Sequence, residues 1–380
     1  MTRAIIHLDR FFRNFNAVKT RIGQCRICVP VKADAYGHGI IQIAKTSLEA
    51  GAYCLGVATV SEGLVLRKAG ITAPILLFSQ SHHEEIPQII GAALIPFVSD
   101  NEFASILNDE AEAKKIKLPV HIKIDTGMGR LGCSAENALS LARHVDSCRA
   151  LELAGTATHF AAADSADEQD INYTQEQLAR FKQAIEQIKA AGFDPGIVHA
   201  ANSGGVILHP DTWLDMVRPG ILLYGYKTAE EKDAPFAHRQ KSANFEPLQV
   251  QPVMELKTAL ALIKQIKKGE SVSYGRTWTA PQDTFIGILP LGYADGLPRL
   301  ASNKWQAVIG GEVYPLIGRI CMDQCCIDLG TNLKVRRWEE TTVFGGCGKD
   351  AAALAKVVDT IPYEVTCSIG NRVRREYIGL

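Results

Sequence analysis

The chain has 380 residues, and 41 Lys and Arg balance 41 Asp and Glu to a formal net charge of zero. That balance argues against a strongly basic nucleic-acid binder, while 47% hydrophobic and 22% charged residues are ordinary for a globular protein with a large core. No apolar run is long enough to span a bilayer, and the opening MTRAIIHLDRFFRNF is broken by Arg3, Asp9, Arg10 and Arg13, so it lacks the apolar core of a secretory signal.

The expected compartment is the cytoplasm, where the ten cysteines stay mostly reduced. Cys25 and Cys28 form a CxxC with no second pair at zinc spacing, and Cys321, Cys325 and Cys326 cluster without nearby histidines. These read as small buried apolar residues, and no metal is expected.

Along the chain, short β-branched or aromatic runs recur at 27–31, 53–58, 74–78, 94–98, 120–124, 153–159, 196–200 and 216–225. Helical patterns separate most of them. The segment 61–70 offers Ser61 as an N-cap and Gly70 as the residue past its end. The segment 174–192 is amphipathic, starts at Thr174 with Glu176 behind it, and closes on Gly192. Eight strands alternating with helices imply a parallel sheet, and eight such units in this length fit a closed (β/α)8 TIM barrel. No GxGxxG follows the first strand, which counts against a dinucleotide-binding fold. Residues 230–247, polar and carrying two prolines, read as a linker. Beyond them, short strands between Gly and Pro turns predict a β-rich C-terminal domain. The fold class is therefore α/β, with a barrel over 1–230 and the β-rich domain over 231–380. The first ~10 residues are free to pack with the second domain.

Barrel sites lie at the C-terminal ends of the strands. Lys32, Asp34, Tyr36, Gly37 and His38 follow the first run; Asp125, Thr126, Gly127, Met128, Gly129 and Arg130 follow the fifth. His159 and Asp164 follow the sixth, Asn202, Ser203, Gly204 and Gly205 the seventh, and the eighth carries Arg218, Pro219, Gly220 and Ile221. Taken singly, Lys32 reads as a snorkelling surface lysine and the glycines as ordinary turns. Taken together, a desolvated lysine able to form a Schiff base and backbone N–H groups able to cradle a phosphate describe a pocket for pyridoxal 5'-phosphate.

The run Val31-Lys-Ala-Asp-Ala-Tyr-Gly-His-Gly39 resembles the cofactor-lysine signature of the alanine racemases, the fold type III pyridoxal phosphate enzymes. The resemblance continues at 123–132, 159–164, 199–203 and 217–221. It resumes in the second domain at 272–275, 292–296, 318–323 and Tyr363-Glu-Val, in the family's order. It implies that Lys32 holds the cofactor and is one acid/base, that Tyr274 is the other, and that His159 and Arg218 form a relay to that tyrosine. Two bases on opposite faces of the α-carbon are what racemisation needs. Arg218 would face the pyridine nitrogen as a permanent donor. Tyr36, Ser203, Gly220, Ile221 and Tyr363 would contact the phosphate, with Asn202 also at the cofactor. Arg130 would bind the substrate carboxylate beside Lys123, which matches a lysine carbamylated in some members, and Met322 would line the substrate. Tyr293, Arg299, Arg319 and Asp164 match an access corridor.

Because the family takes Tyr274, Met322 and Tyr293 from the partner subunit, a head-to-tail homodimer with shared sites is implied. The expected activity is interconversion of L-alanine and D-alanine for peptidoglycan, with an amino acid as substrate and no nucleic acid or membrane as partner. The alternatives are a serine or broad-specificity racemase, a non-catalytic pyridoxal phosphate-binding protein, and, more weakly, a metal-dependent barrel enzyme. The closing Arg372-Val-Arg-Arg375 departs from the family's usual Arg-Val-Pro-Arg at Arg374.

Overall fold

The computed structural model describes residues 2–229 and 247–379. Most of the expected linker, residues 230–246, lies outside the described residues. The chain divides into two compact units. One takes Phe12–Ala35 and the described residues from Ile40 to Val250; the other takes the described residues up to Phe11, Tyr36–Gly39, and those from Gln251 onward.

The first unit is a closed parallel barrel. Its strands in order are Arg26–Pro30, Cys54–Val57, Ile75–Leu77, Ile95–Val98, Leu118–Asp125, Leu151–Ala157, Ile197–His199 and Met216–Val217. Each pairs in parallel with its neighbours, and the pairing of Met216 with Arg26 closes the ring. The strands are buried on both sides, which is why they read as near-continuous apolar runs. One cluster inside the ring joins Cys28, Cys54, Leu76 and Met216 from the first, second, third and eighth strands.

Three local details differ from the sequence reading. The helix Val60–Lys68 is capped by Thr59, whose hydroxyl accepts from Glu62 N, and not by Ser61. The helix Glu168–Ala190 begins at the Asp167 cap, well before Thr174. Its polar opening turns carry no apolar stripe, and the buried face starts at Thr174. The eighth strand stops at Val217, short of residue 225. Pro219 has no N–H to give a ladder, and the N–H groups of Gly220 and Leu222 turn to Ser203 Oγ instead.

The second unit is built on a nine-stranded sheet. Its order is Leu262–Ile266, Thr284–Leu289, Cys325–Gly330, Glu312–Ile317, Gln306–Ile309, Glu340–Phe344, Met254–Ala259, Arg3–His7 and Arg374–Ile378. All neighbours are antiparallel except the last pair, Arg3–His7 with Arg374–Ile378. Arg374 opens this edge strand, a place where a proline is also tolerated, so the departure there leaves the sheet intact. Trp305 is buried with its indole N–H on Val343 O at 2.8 Å.

All ten cysteines are free. Cys28 and Cys325 are buried as expected, but Cys25, Cys321 and Cys326 are only partly so. Among the described residues, no helix is long and apolar enough to cross a membrane.

Candidate active site

Lys32 follows the first barrel strand directly, and the backbone then does something unusual. Ala33, Asp34 and Ala35 adopt φ of 52–54° and ψ of 44–53°, and Tyr36 keeps φ at 54°. This is a turn of left-handed helix, which for residues bearing a Cβ costs roughly 1–2 kcal/mol each. Such strain persists only where neighbours over-determine it. In the barrel unit, Ala33 N donates to Glu62 Oε1 at 2.6 Å and Ile40 N to Asp34 Oδ1 at 2.8 Å. In the other unit, Gly37, at φ 82°, lies so close to Thr366 that a Cβ would sit 2.0 Å from its carbonyl oxygen. Only glycine fits there.

The fifth strand delivers two further cations. Lys123 is buried, with Nζ 5.4 Å above the Phe97 ring. Burial, then Arg218 and Arg130, hold its amine well below the usual lysine range. Next comes the glycine-rich loop, pinned by Asp125: one carboxylate oxygen accepts from the N–H groups of Gly127, Met128 and Gly129 at 2.8–3.1 Å. Those bonds lower the Asp125 pKa against the opposing effect of burial. Arg130 leaves this loop exposed.

Arg218 sits deepest. Its guanidinium donates to His199 Nδ1 at 2.6 Å, to Thr158 O at 2.7 Å, to Ala200 O at 2.9 Å, and more weakly to His159 Nδ1 at 3.4 Å. Arginine has only donors, so each histidine nitrogen facing it must accept. His199 therefore carries its proton on Nε2 and donates to His121 Nδ1 at 2.8 Å. His121 in turn carries its proton on Nε2, and so does His159. The acid–base tendencies agree with this assignment. Burial and then Arg218 lower His121 to about 3 and hold His199 well below the usual range. His159 is lowered by burial, then by Lys123, Arg218, Arg130 and Lys32. Arg218 itself is lowered by burial to about 10, still charged at neutral pH.

After the seventh strand, Asn202 caps the short helix Ser203–Leu208 through Gly205 N. Ser203 Oγ accepts from Gly220 N at 3.0 Å and Leu222 N at 3.3 Å, so the loops after strands seven and eight meet at one hydroxyl. Ile221 is buried behind them. Asp164 is exposed after the sixth strand.

The β-rich unit holds the remaining expected residues. The Tyr36 and Tyr363 rings lie 5.7 Å apart, and burial, then Tyr363 and Cys367, raise the Tyr36 phenol far above its usual pKa, keeping it a donor. Tyr274 is 71% exposed on a turn where Ser273, Gly275 and Arg276 all have positive φ. Ser273 Oγ donates to Arg319 O at 2.6 Å and thereby ties the turn to the half-buried Arg319. Met322 and Tyr293 are exposed on adjacent turns, and Arg299 is exposed beyond them.

The structure thus gathers Lys32, Lys123, Arg130, Arg218 and His159 at the barrel rim, with the loop of Asn202, Ser203, Gly220 and Ile221 beside the seventh and eighth strands. It places Tyr36 with Tyr363, and Tyr274, Arg319, Met322, Tyr293 and Arg299 on the other unit. Sequence reasoning missed His121 and Gln177. His121 stands two residues before Lys123 on one strand, so the period of two puts both on one face. Gln177 is fully buried, receives Ala161 N at 2.9 Å and donates to His159 O at 3.2 Å. Its signal is a polar residue at a register position of the helix otherwise filled by Leu178 and Phe181. His82 and His83 are exposed, away from this cluster's barrel interior.

Lys123, Arg218, Arg130 and Lys32 all act on the half-buried His159, so this part of the rim is electropositive and suits an anionic ligand. A (β/α)8 barrel with such a rim, followed in the chain by an antiparallel β domain, defines a recognisable class. The family model for the alanine racemase N-terminal domain matches residues 6–228, and that for the C-terminal domain matches 253–377. An alanine racemase of Treponema denticola is 47% identical, the match covering 99% of this chain and 98% of that protein. One from Treponema pallidum is 42% identical over 99% of each. The solved alanine racemase of Clostridium difficile superposes with a TM-score of 0.91 at 34% identity, covering 99% of this chain and 95% of that one. The chain belongs to the alanine racemase family.

Proposed function

We propose that the protein is an isomerase that interconverts L-alanine and D-alanine with pyridoxal 5'-phosphate as its cofactor. The carrying observation is Lys32 at the end of the first strand with Lys123, Arg130 and Arg218 close enough to act on His159, a rim that favours an anionic ligand beside an amine able to hold a carbonyl cofactor. Bound there, pyridoxal phosphate supplies an electron-withdrawing ring that acidifies the α-proton of an attached amino acid.

The chain's own residues do the rest. Lys32 Nζ holds the cofactor and exchanges a proton on one face of the α-carbon, and Tyr274 Oη does so on the other. Tyr274 takes the proton from L-alanine and Lys32 from D-alanine. A phenol near pKa 10 is a poor base without help. His159, neutral and protonated on Nε2, supplies a donor to the phenolate oxygen and is itself oriented by Arg218. Arg218, which can only donate, would face the pyridine nitrogen of the bound cofactor and leave it unprotonated, which would disfavour side reactions such as transamination. Ser203, Gly220, Ile221, Tyr36 and Tyr363 bind the phosphate, with Asn202 fixing the Ser203 turn.

Arg130 takes the substrate carboxylate with its planar fork. Lys123, whose amine burial holds well below the usual lysine range, is the kind of group that carbon dioxide carbamylates, which would place an anion beside Arg130. Met322 borders the substrate, and Tyr293, Arg299, Arg319 and Asp164 line its access corridor. Two copies assemble head to tail, so that Tyr274, Met322 and Tyr293 of one protomer serve its partner. The enzyme works in the cytoplasm, where it supplies D-alanine for peptidoglycan.

The test is exchange in deuterated water. Protein with pyridoxal phosphate receives L-alanine, and separately L-serine, and α-deuterium and chirality are read together. Label and inversion mainly with alanine are expected. Inversion mainly with serine would reassign the substrate, and exchange without inversion would remove the second base.

A further inference from the structure

The loops bearing Tyr293 and Met322 are held by one arginine. Asp295 closes the turn Tyr293–Asp295, and it is 6% exposed, so its carboxylate needs partners. Gly292 N donates to its Oδ2 at 2.8 Å. Arg372 supplies the remainder as a fork: Nε to Asp295 Oδ1 at 2.8 Å and Nη2 to Oδ2 at 3.2 Å. The same Nη2 reaches Asp323 Oδ1 at 2.7 Å, on the residue after Met322. The two turns also touch through backbone: Tyr293 N donates to Cys321 O and Ala294 N to Met322 O, both at 3.1 Å. They approach so closely that a Cβ on Gly292 would lie 2.2 Å from both carbonyl oxygens.

We propose that Arg372 is a positioning residue for substrate recognition, clamping the Tyr293 turn and the Met322 turn into one rigid surface through Asp295 and Asp323. It touches no reacting atom. Its effect on turnover rests on the reading that Met322 and Tyr293 meet the substrate; its effect on the two turns does not. The chemistry favours arginine over lysine, because a planar fork can hold both oxygens of Asp295 and still reach a second carboxylate, whereas an ammonium is a single point of charge.

The experiment compares the wild-type holoenzyme with Arg372→Ala, Arg372→Lys and Asp323→Ala by amide hydrogen exchange and by steady-state kinetics on alanine. In Arg372→Ala, exchange in 292–296 and 321–324 should quicken while the rest of the sheet keeps its protection. KM for alanine should rise roughly tenfold with a smaller change in kcat, the mark of lost binding geometry. Arg372→Lys should recover part of both. Asp323→Ala, which leaves the Asp295 fork intact, should loosen mainly 321–324. Unchanged exchange at both turns would overturn the clamp. So would exchange quickened throughout the β-rich unit in Arg372→Ala together with a silent Asp323→Ala. Looser turns with unchanged KM, in an enzyme that does racemise alanine, would overturn the positioning role. A wild type inactive on alanine would instead sink the functional reading, with the exchange result still deciding the clamp.

Discussion

Arg218 can only donate hydrogen bonds, and that property propagates outward through His199 to His121 and sideways to His159. Two buried neutral histidines, His121 and His199, and the half-buried His159 have a cost in acid. Their pKa values in the folded chain lie below the ordinary value near 6.5, so below that pH the unfolded chain binds protons that the folded chain refuses. Stability is therefore complete above about pH 6.5 and falls as pH drops, for His121 down to its folded value of about 3. Each such histidine contributes a slope of about 1.4 kcal/mol per pH unit. His121→Asn keeps an acceptor near the Nδ1 position and removes one titration. Its unfolding free energy between pH 6.5 and 5 should fall less steeply than the wild type's by about that amount. Equal slopes would mean that His121 is protonated in the folded chain, and the tautomer chain would be wrong. Lys123 was legible only through the resemblance at 123–132, since within the run VHIKI it also reads as a plain strand residue. His121 was not, since a histidine in a strand is commonplace and its meaning depends on His199 and Arg218, which come from other strands.

The left-handed turn after Lys32 shows what a single element can conceal. Lys-Ala-Asp-Ala-Tyr is made of residues that ordinarily favour right-handed helix or are neutral to it, and nothing local announces φ near 53°. The turn is imposed from outside by acceptors from other elements. Glu62 is the chief one in the barrel unit: its carboxylate takes Ala33 N at 2.6 Å, Ala58 N at 2.8 Å and Thr59 N at 3.2 Å. The same side chain that completes the capping box of Val60–Lys68 therefore anchors the segment beginning at Lys32. A cap at Ser61, as the sequence suggests, lies two residues past Thr59 and hides the link. Glu62→Ala should cost about 1 kcal/mol of stability, the typical loss when a helix N-terminal cap is broken. It should also weaken pyridoxal phosphate binding on the order of tenfold as the turn relaxes, measured by titrating the apo-protein and following cofactor absorbance. Normal cofactor affinity with lowered stability would confine Glu62 to its capping role.

At the scale of the whole molecule, the barrel was readable because eight apolar runs alternate with helices, and only a parallel sheet needs that arrangement. Of the discontinuity of the two units, the part at Tyr36–Gly39 was not readable. Tyr36–Gly39 group with the C-terminal residues, and Arg375 holds Gly37 O at 3.1 Å across 338 positions of sequence. No period or composition shift marks such a contact.

The distribution of site residues raises the last question. Lys32 stands on the barrel unit, and Tyr274, 71% exposed, on the β-rich unit together with exposed Met322 and Tyr293. Large apolar side chains left open on one surface fit an interface with a second copy. If each site takes its lysine from one protomer and its tyrosine from the other, two dead variants can rescue each other. Lys32→Ala should lose the cofactor's bound absorbance, and Tyr274→Ala should keep it while losing most racemisation. After subunit exchange at equal amounts, half of the dimers are mixed, and each mixed dimer carries one intact site and one doubly altered site. About a quarter of wild-type activity should return, given unbiased reassociation. Activity that stays absent despite mixed dimers shown by mass spectrometry would mean that both bases come from one chain, and the shared site would have to be abandoned.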